Sequence, residues 1–210
     1  MGVAHSLVTT LAQGLQQLRL DIPAAQQAAL LEYVQLLHTW NAAYNLTAIR
    51  APQDMLSRHI LDALVALPWL GAGPILDVGS GAGLPGIPLA IACPDQEFIL
   101  LDSNGKKVRF IKQVVMALQI QNVDVVQSRV ETYQPSTAIG LIVSRAFASL
   151  LDLVNATRHL QPQRGWLAWK GQLKADELAQ VQAIAEVEQD IRVVLPGVEA
   201  ERHLVKMKLK

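Results

Sequence analysis

The sequence is poor in cysteine, in long apolar runs, in net charge and in clustered metal-ligating residues, and each shortage removes a class of protein. A single cysteine, Cys93, cannot close an internal disulfide, so the chain is not a stapled secreted scaffold. The best apolar stretch, residues 63–70, is broken by Pro68 and falls well short of the roughly 18 to 20 residues that a membrane span needs. The first twenty residues lack the uninterrupted apolar core of a signal peptide, which predicts a cytoplasmic location. The Asn-x-Thr sequons at Asn45 and Asn155 are then chance matches. With 18 basic and 18 acidic residues the whole chain does not attract nucleic acid, so any RNA contact must come from a local basic patch. His38, His59 and His159 stand apart from one another and from any serine elbow, so neither a metal site nor a covalent intermediate is expected. Cys93-Pro94 reverses the order of a cytosine-methylating nucleophile and is expected to be buried and inert.

What is present is apolar residue in quantity, 51% of 210 positions, enough for one sizeable core. Leucines at 7, 11, 15 and 18 predict a first helix. A second pattern runs from Pro23 through Leu30, Leu31, Val34 and Leu37, with Pro23 in its first turn, and Pro52 opens a third helix reaching Leu64. From Gly73 the rhythm changes. Strands are predicted at 75–78, 97–101, 123–126, 139–143 and 165–169, with helices at 106–118, 150–160 and 174–188 between them. That alternation predicts an α/β fold, a doubly wound and mostly parallel sheet over residues 71–210, preceded by a packed helical region over 1–70. Two last strands, 191–195 and 203–209, are too close in sequence for a parallel crossover and must form an antiparallel hairpin. A terminal antiparallel strand resembles the methyltransferase variant of the Rossmann architecture, whereas the dinucleotide version stays parallel.

The first strand runs into DVGSGAGLPGIP, residues 77–88, a glycine-rich strand-to-helix turn of the kind that admits a ligand close to the main chain. A carboxylate at the mouth of such a turn, Asp77, would repel a pyrophosphate but suits the sulfonium and ammonium of S-adenosylmethionine. Residues 81–86 do satisfy G-x-G-x-x-G, but that frame starts several residues past the strand, and Leu84 stands where a glycine should follow Gly79. The Walker pattern fails at Ile87-Pro88. Asp102 ends the second strand twenty-five positions after Asp77, beside the expected ribose, with Ser103 next to it; its alternative role is to cap the following helix.

Six blocks in order, WNAAYNLTAIR (40–50), RHILDAL (58–64), ILDVGSGAGLPGIPLA (75–90), LLDSNGKKVRF (100–110), QSRVE (127–131) and SRAFASL (144–150), resemble the bacterial small-subunit rRNA guanine-N7 methyltransferase family, also called glucose-inhibited division protein B. The resemblance implies transfer of a methyl group from S-adenosylmethionine to N7 of a guanine in 16S rRNA, free or in the 30S subunit, with S-adenosylhomocysteine as product. It implies donor contacts at Gly79, Leu84, Val130, Glu131 and Arg145, joining Asp77, Gly81, Asp102 and Ser103 from the two loops. Each also has a plainer reading: a turn glycine, a core leucine, a helix-start acid, a surface cation. SRAF lacks the Asn/Asp-Pro-Pro-aromatic group that holds exocyclic amines, which fits a ring nitrogen, and Phe147 either stacks on the splayed guanine or packs in the core. A ring nitrogen carries a free lone pair, so direct in-line attack needs no general base. Catalysis is expected to be positioning, with Arg145 and Phe147 as candidates. RNA-binding candidates are Arg50, Arg58, Lys106, Lys107, Arg109, Lys112 and Lys170, then Lys206, Lys208 and Lys210. Neither a metal nor an obligate protein partner is indicated. Rival readings are a methyltransferase acting on another RNA, a protein or a small molecule, an NAD(P)-dependent oxidoreductase, and an inactive binding protein.

Overall fold

The computed structural model describes residues 2–210. The leucine stripe forms α1 (Gly2–Leu18), and α2 (Ala24–Tyr44) buries Leu30, Tyr33, Val34 and Leu37. Pro23 sits one position earlier than the sequence predicts. It caps α2 with extended backbone, ψ 150°, while its carbonyl accepts the first helical bond from the Gln27 N–H at 3.0 Å. Pro52 opens α3 (Pro52–Met55) as expected. The chain then widens into a π-helical turn over Leu56–Leu61 before α4 (Asp62–Leu64). Hydrophobic spacing carries no signal for such a widening, which often accompanies a functional site.

The sheet has the order β3-β2-β1-β4-β5-β7-β6. Its strands are β1 (Ile75–Val78), β2 (Phe98–Asp102), β3 (Val123–Gln127), β4 (Leu141–Ser144), β5 (Trp166–Lys170), β6 (Ala185–Leu195) and β7 (Val198–Leu209). The first five are mutually parallel, and β7 is antiparallel to both β5 and β6. The crossovers carry α5 (Gly86–Ala92), α6 (Gly105–Ala117), α7 (Leu150–Thr157) and α8 (Ala175–Val181). The hairpin expected from the short connection is present. The helix predicted over 174–188 is not: α8 stops at Val181 and β6 begins at Ala185. The sequence AEVEQD favours a helix on propensity, but Ala185, Val187, Ile191 and Val193 each have partners along the longer β7, and pairing outweighs propensity. A register shift between Val187 and Gln189 hides the alternation from a sequence reading.

Alternating residues of each central strand face opposite layers. Ile75, Leu100, Leu141, Val143 and Leu167 pack beneath α1, α2, α5 and α6 in a cluster running from Leu7 to Leu204. Leu76, Val78, Ile142, Trp166 and Met207 pack against α7 and α8. Buried indoles keep partners for their N–H groups: Trp166 Nε1 donates to Thr157 Oγ1 and Trp169 Nε1 to the Asp62 carbonyl, both at 2.7 Å. No described helix is long and apolar enough to cross a membrane.

Candidate functional site

The chain winds from β1 outward through β2 and β3, and from β4 outward in the other direction, so the loops after β1 and β4 diverge. Ligands of doubly wound sheets occupy the crevice outside the strand C-termini at this reversal. Here the turn after β1 folds over β2, with the Gly79 and Ser80 N–H groups donating to the Leu101 carbonyl at 2.8 and 3.1 Å. Gly79 has φ +72°, and a Cβ there would lie 2.6 Å from Ala146 Cβ. Gly86 admits α5 close to the sheet, since its Cβ would meet Asp77 Oδ2 at 2.7 Å.

Two carboxylates brace this turn from opposite sides. Asp77, fully buried, accepts from the Gly86 N–H at 2.9 Å through Oδ2, while its Oδ1 has no hydrogen-bond partner. Burial pushes its pKa up to about 7 against the pull of the Gly86 N–H. The strand parity that places Ile75 under α5 also turns Asp77 toward α5, so its carboxylate lies beneath the turn and not at its mouth, where the sequence predicts it. Asp102 accepts from the Gly81 N–H and the Asn104 N–H, each at 2.8 Å, and Lys107 Nζ lies 3.9 Å away. Capping of α6 falls to Asn104, which accepts from the Lys106 and Lys107 N–H groups. From the same helical layer, Tyr33 of α2 donates to the Ala82 carbonyl at 2.7 Å, tying the helical region to the turn.

Beside the turn opens a cleft of about 290 Å³. Gly79, Asp102, Ser103, Val130, Glu131 and Phe147, all expected from the sequence, line it together. Asp77, Gly81, Leu84 and Arg145 are not part of the lining: Gly81 spends its N–H on Asp102, Leu84 is buried, and Arg145 turns away toward α4. Lys107, expected as an RNA contact, and Arg129 also line the cleft. Their signal was available, since LLDSNGKKVRF and QSRVE both follow strands at this edge. Two acids and a serine hydroxyl offer acceptors for ribose hydroxyls, Val130 an apolar face for a purine, and Gly79 an approach with no Cβ. These groups fit S-adenosylmethionine.

On the other side of the 145–147 segment lies a second cavity of about 510 Å³, with Arg50, Arg58, Arg145 and Arg202 in its walls. Arg145 Nη1 lies 3.0 Å from Asp62 Oδ2, and Arg202 Nε 3.5 Å from Asp62 Oδ1. Burial raises the Asp62 pKa while Arg145 and Arg202 lower it. His59, one π-turn residue of the same wall, has Nε2 2.8 Å from Thr47 Oγ1 and Nδ1 3.1 Å from the Arg58 carbonyl. Burial, then the neighbouring Arg145 charge, pull its pKa down to about 4. Asp62 stood within the RHILDAL block without a role, and Arg202 was missed because only the hairpin register brings it here. Of the other cations, Lys106, Arg109 and Lys112 are exposed on α6. Lys170 is not free for RNA: its Nζ donates to the Ala148 carbonyl at 2.7 Å and pairs with Glu177 at 2.8 Å. Lys206 pairs with Glu188, and Lys210 donates to the Gln182 carbonyl, while Lys208 is exposed. Cys93 is half-buried at the far end of α5, its thiol pKa raised by burial.

Solved structures of low sequence identity share the fold. A ribosomal protein L11 methylase from Lactobacillus delbrueckii subsp. bulgaricus superposes with a TM-score of 0.56 at 15% identity, covering 73% of this chain and 79% of that one. TrmK of M. capricolum, solved with S-adenosyl-homocysteine, gives 0.54 at 9% identity over 70% of this chain and 67% of that one. Sequence relatives are much nearer. Ribosomal RNA small subunit methyltransferase G of Shewanella amazonensis is 48% identical over 202 residues, 96% of this chain and 98% of the relative. Its counterpart in Pseudomonas aeruginosa is 49% identical over 197 residues, 93% of this chain and 92% of the relative. A profile of the family described as GidB, rRNA small subunit methyltransferase G, matches residues 26–205. Since that match runs from α2 into β7 and takes in the cleft at the strand ends, the chain belongs to the rRNA small subunit methyltransferase G family, S-adenosylmethionine-dependent enzymes of the class I fold.

Proposed function

We propose that the protein methylates N7 of a guanine in 16S rRNA, in the free RNA or the 30S subunit in the cytoplasm, without a general base. Bound S-adenosylmethionine supplies an electrophilic methyl group on a sulfonium. Asp102, Ser103 and Glu131 would hold the ribose end, Val130 the adenine and Gly79 the approach of the methionine portion; Asp77 would hold the turn in shape through the Gly86 N–H. Phe147, half-buried on the cleft wall, would stack on the extruded base. The residues at 1–70 would act as a helical brace on the catalytic unit at 71–210, with Tyr33 as one of its bolts.

The observation that carries the base-free reading is the commitment of polar side chains after β4. Ser144 Oγ donates to the Val78 carbonyl at 2.8 Å and accepts from the Ala146 N–H at 3.2 Å. The nearest imidazole, His59, has both ring nitrogens engaged. Both commitments support positioning as the catalytic means, which suffices for a lone-pair nucleophile held roughly 3 Å from the methyl carbon and in line with the carbon–sulfur bond. Labelled methyl transfer to unmodified 16S rRNA and to 30S particles, followed by mapping, tests the assignment. N7-methylguanine is expected, and methylation at an exocyclic amine or a ribose hydroxyl would overturn it.

A further inference from the structure

The chain carries no net charge, so its grip on a polyanion depends on where its cations gather. The walls of the 510 Å³ cavity hold four arginines and one acid, Asp54. They come from three separate parts of the fold: Arg50 and Arg58 from the loop and turn after α2, Arg145 from the end of β4, and Arg202 from β7. His203 pairs with Lys170, the last residue of β5, so Arg202 lies just beyond the C-terminal end of the parallel strands, on the edge where the donor cleft opens. Arg145 and its neighbours Ala146 and Phe147 divide the two sites, the arginine facing the cavity and the other two lining the cleft.

Three of these arginines are held in place. Arg50 donates to the Asn41 carbonyl at 3.1 Å and to Asn45 Oδ1 at 2.8 Å. Asp62, whose side chain is only 3% exposed, sits against both Arg145 and Arg202, whose side chains remain 21% and 25% exposed. A buried carboxylate is costly to desolvate unless it is paired, so its position against two guanidiniums fixes them, helped by Arg202 Nη1 donating to the Glu201 carbonyl at 3.1 Å and by Arg145 Nη2 lying 3.4 Å from His59 Nδ1. Planar guanidiniums with fixed forks suit the paired oxygens of a phosphodiester, and ordering them in advance removes the entropy that binding would otherwise lose.

We propose that this cavity binds a backbone phosphate of the acceptor RNA beside the target nucleotide, with Asp62 as the positioning residue for Arg145 and Arg202. The proposal rests on the RNA methyltransferase reading above and assigns the grip to this cavity in preference to the exposed cations of α6. The test uses the full chain, a 16S rRNA fragment containing the modified guanine, and the variants R58Q, R202Q, R58Q/R202Q and, on α6, R109Q/K112Q. The double arginine variant should bind RNA at least tenfold more weakly near 0.1 M salt, with the slope of log affinity against log salt smaller by about 0.7 to 0.9, the value for one phosphate contact. Its S-adenosylmethionine affinity should match wild type, and KM for RNA should rise while kcat at saturating RNA is kept; the melting temperature of R58Q, which leaves Asp62 paired with Arg202, should match wild type. R109Q/K112Q should change RNA affinity less than threefold. Because Arg58 is exposed at the rim, R58Q alone gives a variant with little risk to folding. RNA affinity and salt slope unchanged in R58Q/R202Q, with wild type binding and methylating normally, would overturn the phosphate site alone. Failure of wild type to bind the fragment would overturn the RNA reading with it. For the positioning role, D62N should weaken RNA binding in wild type and add less in the R202Q background, where only its hold on Arg145 is left to lose; full additivity would remove Asp62 from the account.

Discussion

Gly79 joins backbone conformation to ligand approach in one residue. An alanine there would be forced to φ near +72° and would drive its Cβ to 2.6 Å from Ala146 Cβ, pushing apart the turn after β1 and the segment after β4. Strain of this kind costs about 1 to 3 kcal/mol, and it falls on the cleft itself. G79A should lose tenfold or more in S-adenosylmethionine affinity by calorimetry, with a smaller loss in RNA affinity. Asp77 is a second single-residue lever. Its pKa is near 7 in the folded chain against an ordinary 3.8, so the stability it contributes is complete below about pH 4 and is lost as pH rises through 7. D77N removes that dependence. The unfolding free energy of D77N relative to wild type, from urea denaturation, should therefore climb from pH 4 to 7 and then continue to its plateau above, by an amount on the order of a few kcal/mol. His59 works in the opposite sense, its contribution present above 6.5 and lost as pH falls toward 4, but it is common to both proteins and cancels in the difference. A difference that stays constant with pH would place Asp77 as an ordinary ionised carboxylate. Asp102 and Ser103 were legible in the sequence because a strand end followed by a helix start fixes which loop they join. Asp77 was only half legible: its strand was evident, but which layer it faced depended on the packing of α5.

At the scale of elements, the contact between α2 and the glycine turn decides whether the helical region is a decoration or part of the donor site. Tyr33 is buried, its hydroxyl bonded to the Ala82 carbonyl, and its ring lies near Phe110 of α6 with centroids 6.5 Å apart. Removing only the hydroxyl leaves a buried carbonyl without its partner, a change worth about 1 to 3 kcal/mol. Y33F should lower stability by that amount in urea denaturation and weaken S-adenosylmethionine binding several-fold. An unchanged donor affinity would mean that α2 supports the fold and not the cleft. The helix boundaries themselves were mostly visible as hydrophobic period and proline placement. The exceptions are instructive. The π-turn at Leu56–Leu61 keeps apolar spacing close to helical, and β6 is written in residues that favour helices, so each is fixed by neighbours distant in sequence: Arg145 and Thr47 around the turn, and β7 beside the strand. Arg202 was illegible for the same reason, since nothing within its own segment says that it ends at the same edge as Arg145.

For the whole molecule, the two sites and the bar of residues 145–147 between them imply a division of labour that pH can expose. If attack by guanine N7 needs no proton removed, the chemical step at saturating donor and RNA has nothing to titrate between pH 6 and 9. Asp77, near 7, belongs to the turn beside the cleft, so if the cleft holds the donor as proposed, its ionisation should enter the binding of a cationic donor and not the transfer itself. The expected pattern is a flat single-turnover rate from pH 6 to 9 alongside a rise near pH 7 in kcat/KM for S-adenosylmethionine, and D77N should abolish that rise while leaving the flat limb flat. A single-turnover rate that increases tenfold per pH unit up to an inflection would require a deprotonated group in the transition state. His59 could not supply an inflection near 7, because its pKa is already near 4, but Asp77 could; an inflection that survives in D77N would leave a proton on the acceptor as the source. Such a result would point to an exocyclic amine in place of the ring nitrogen, and so the pH profile tests the choice of acceptor atom as well as the absence of a base.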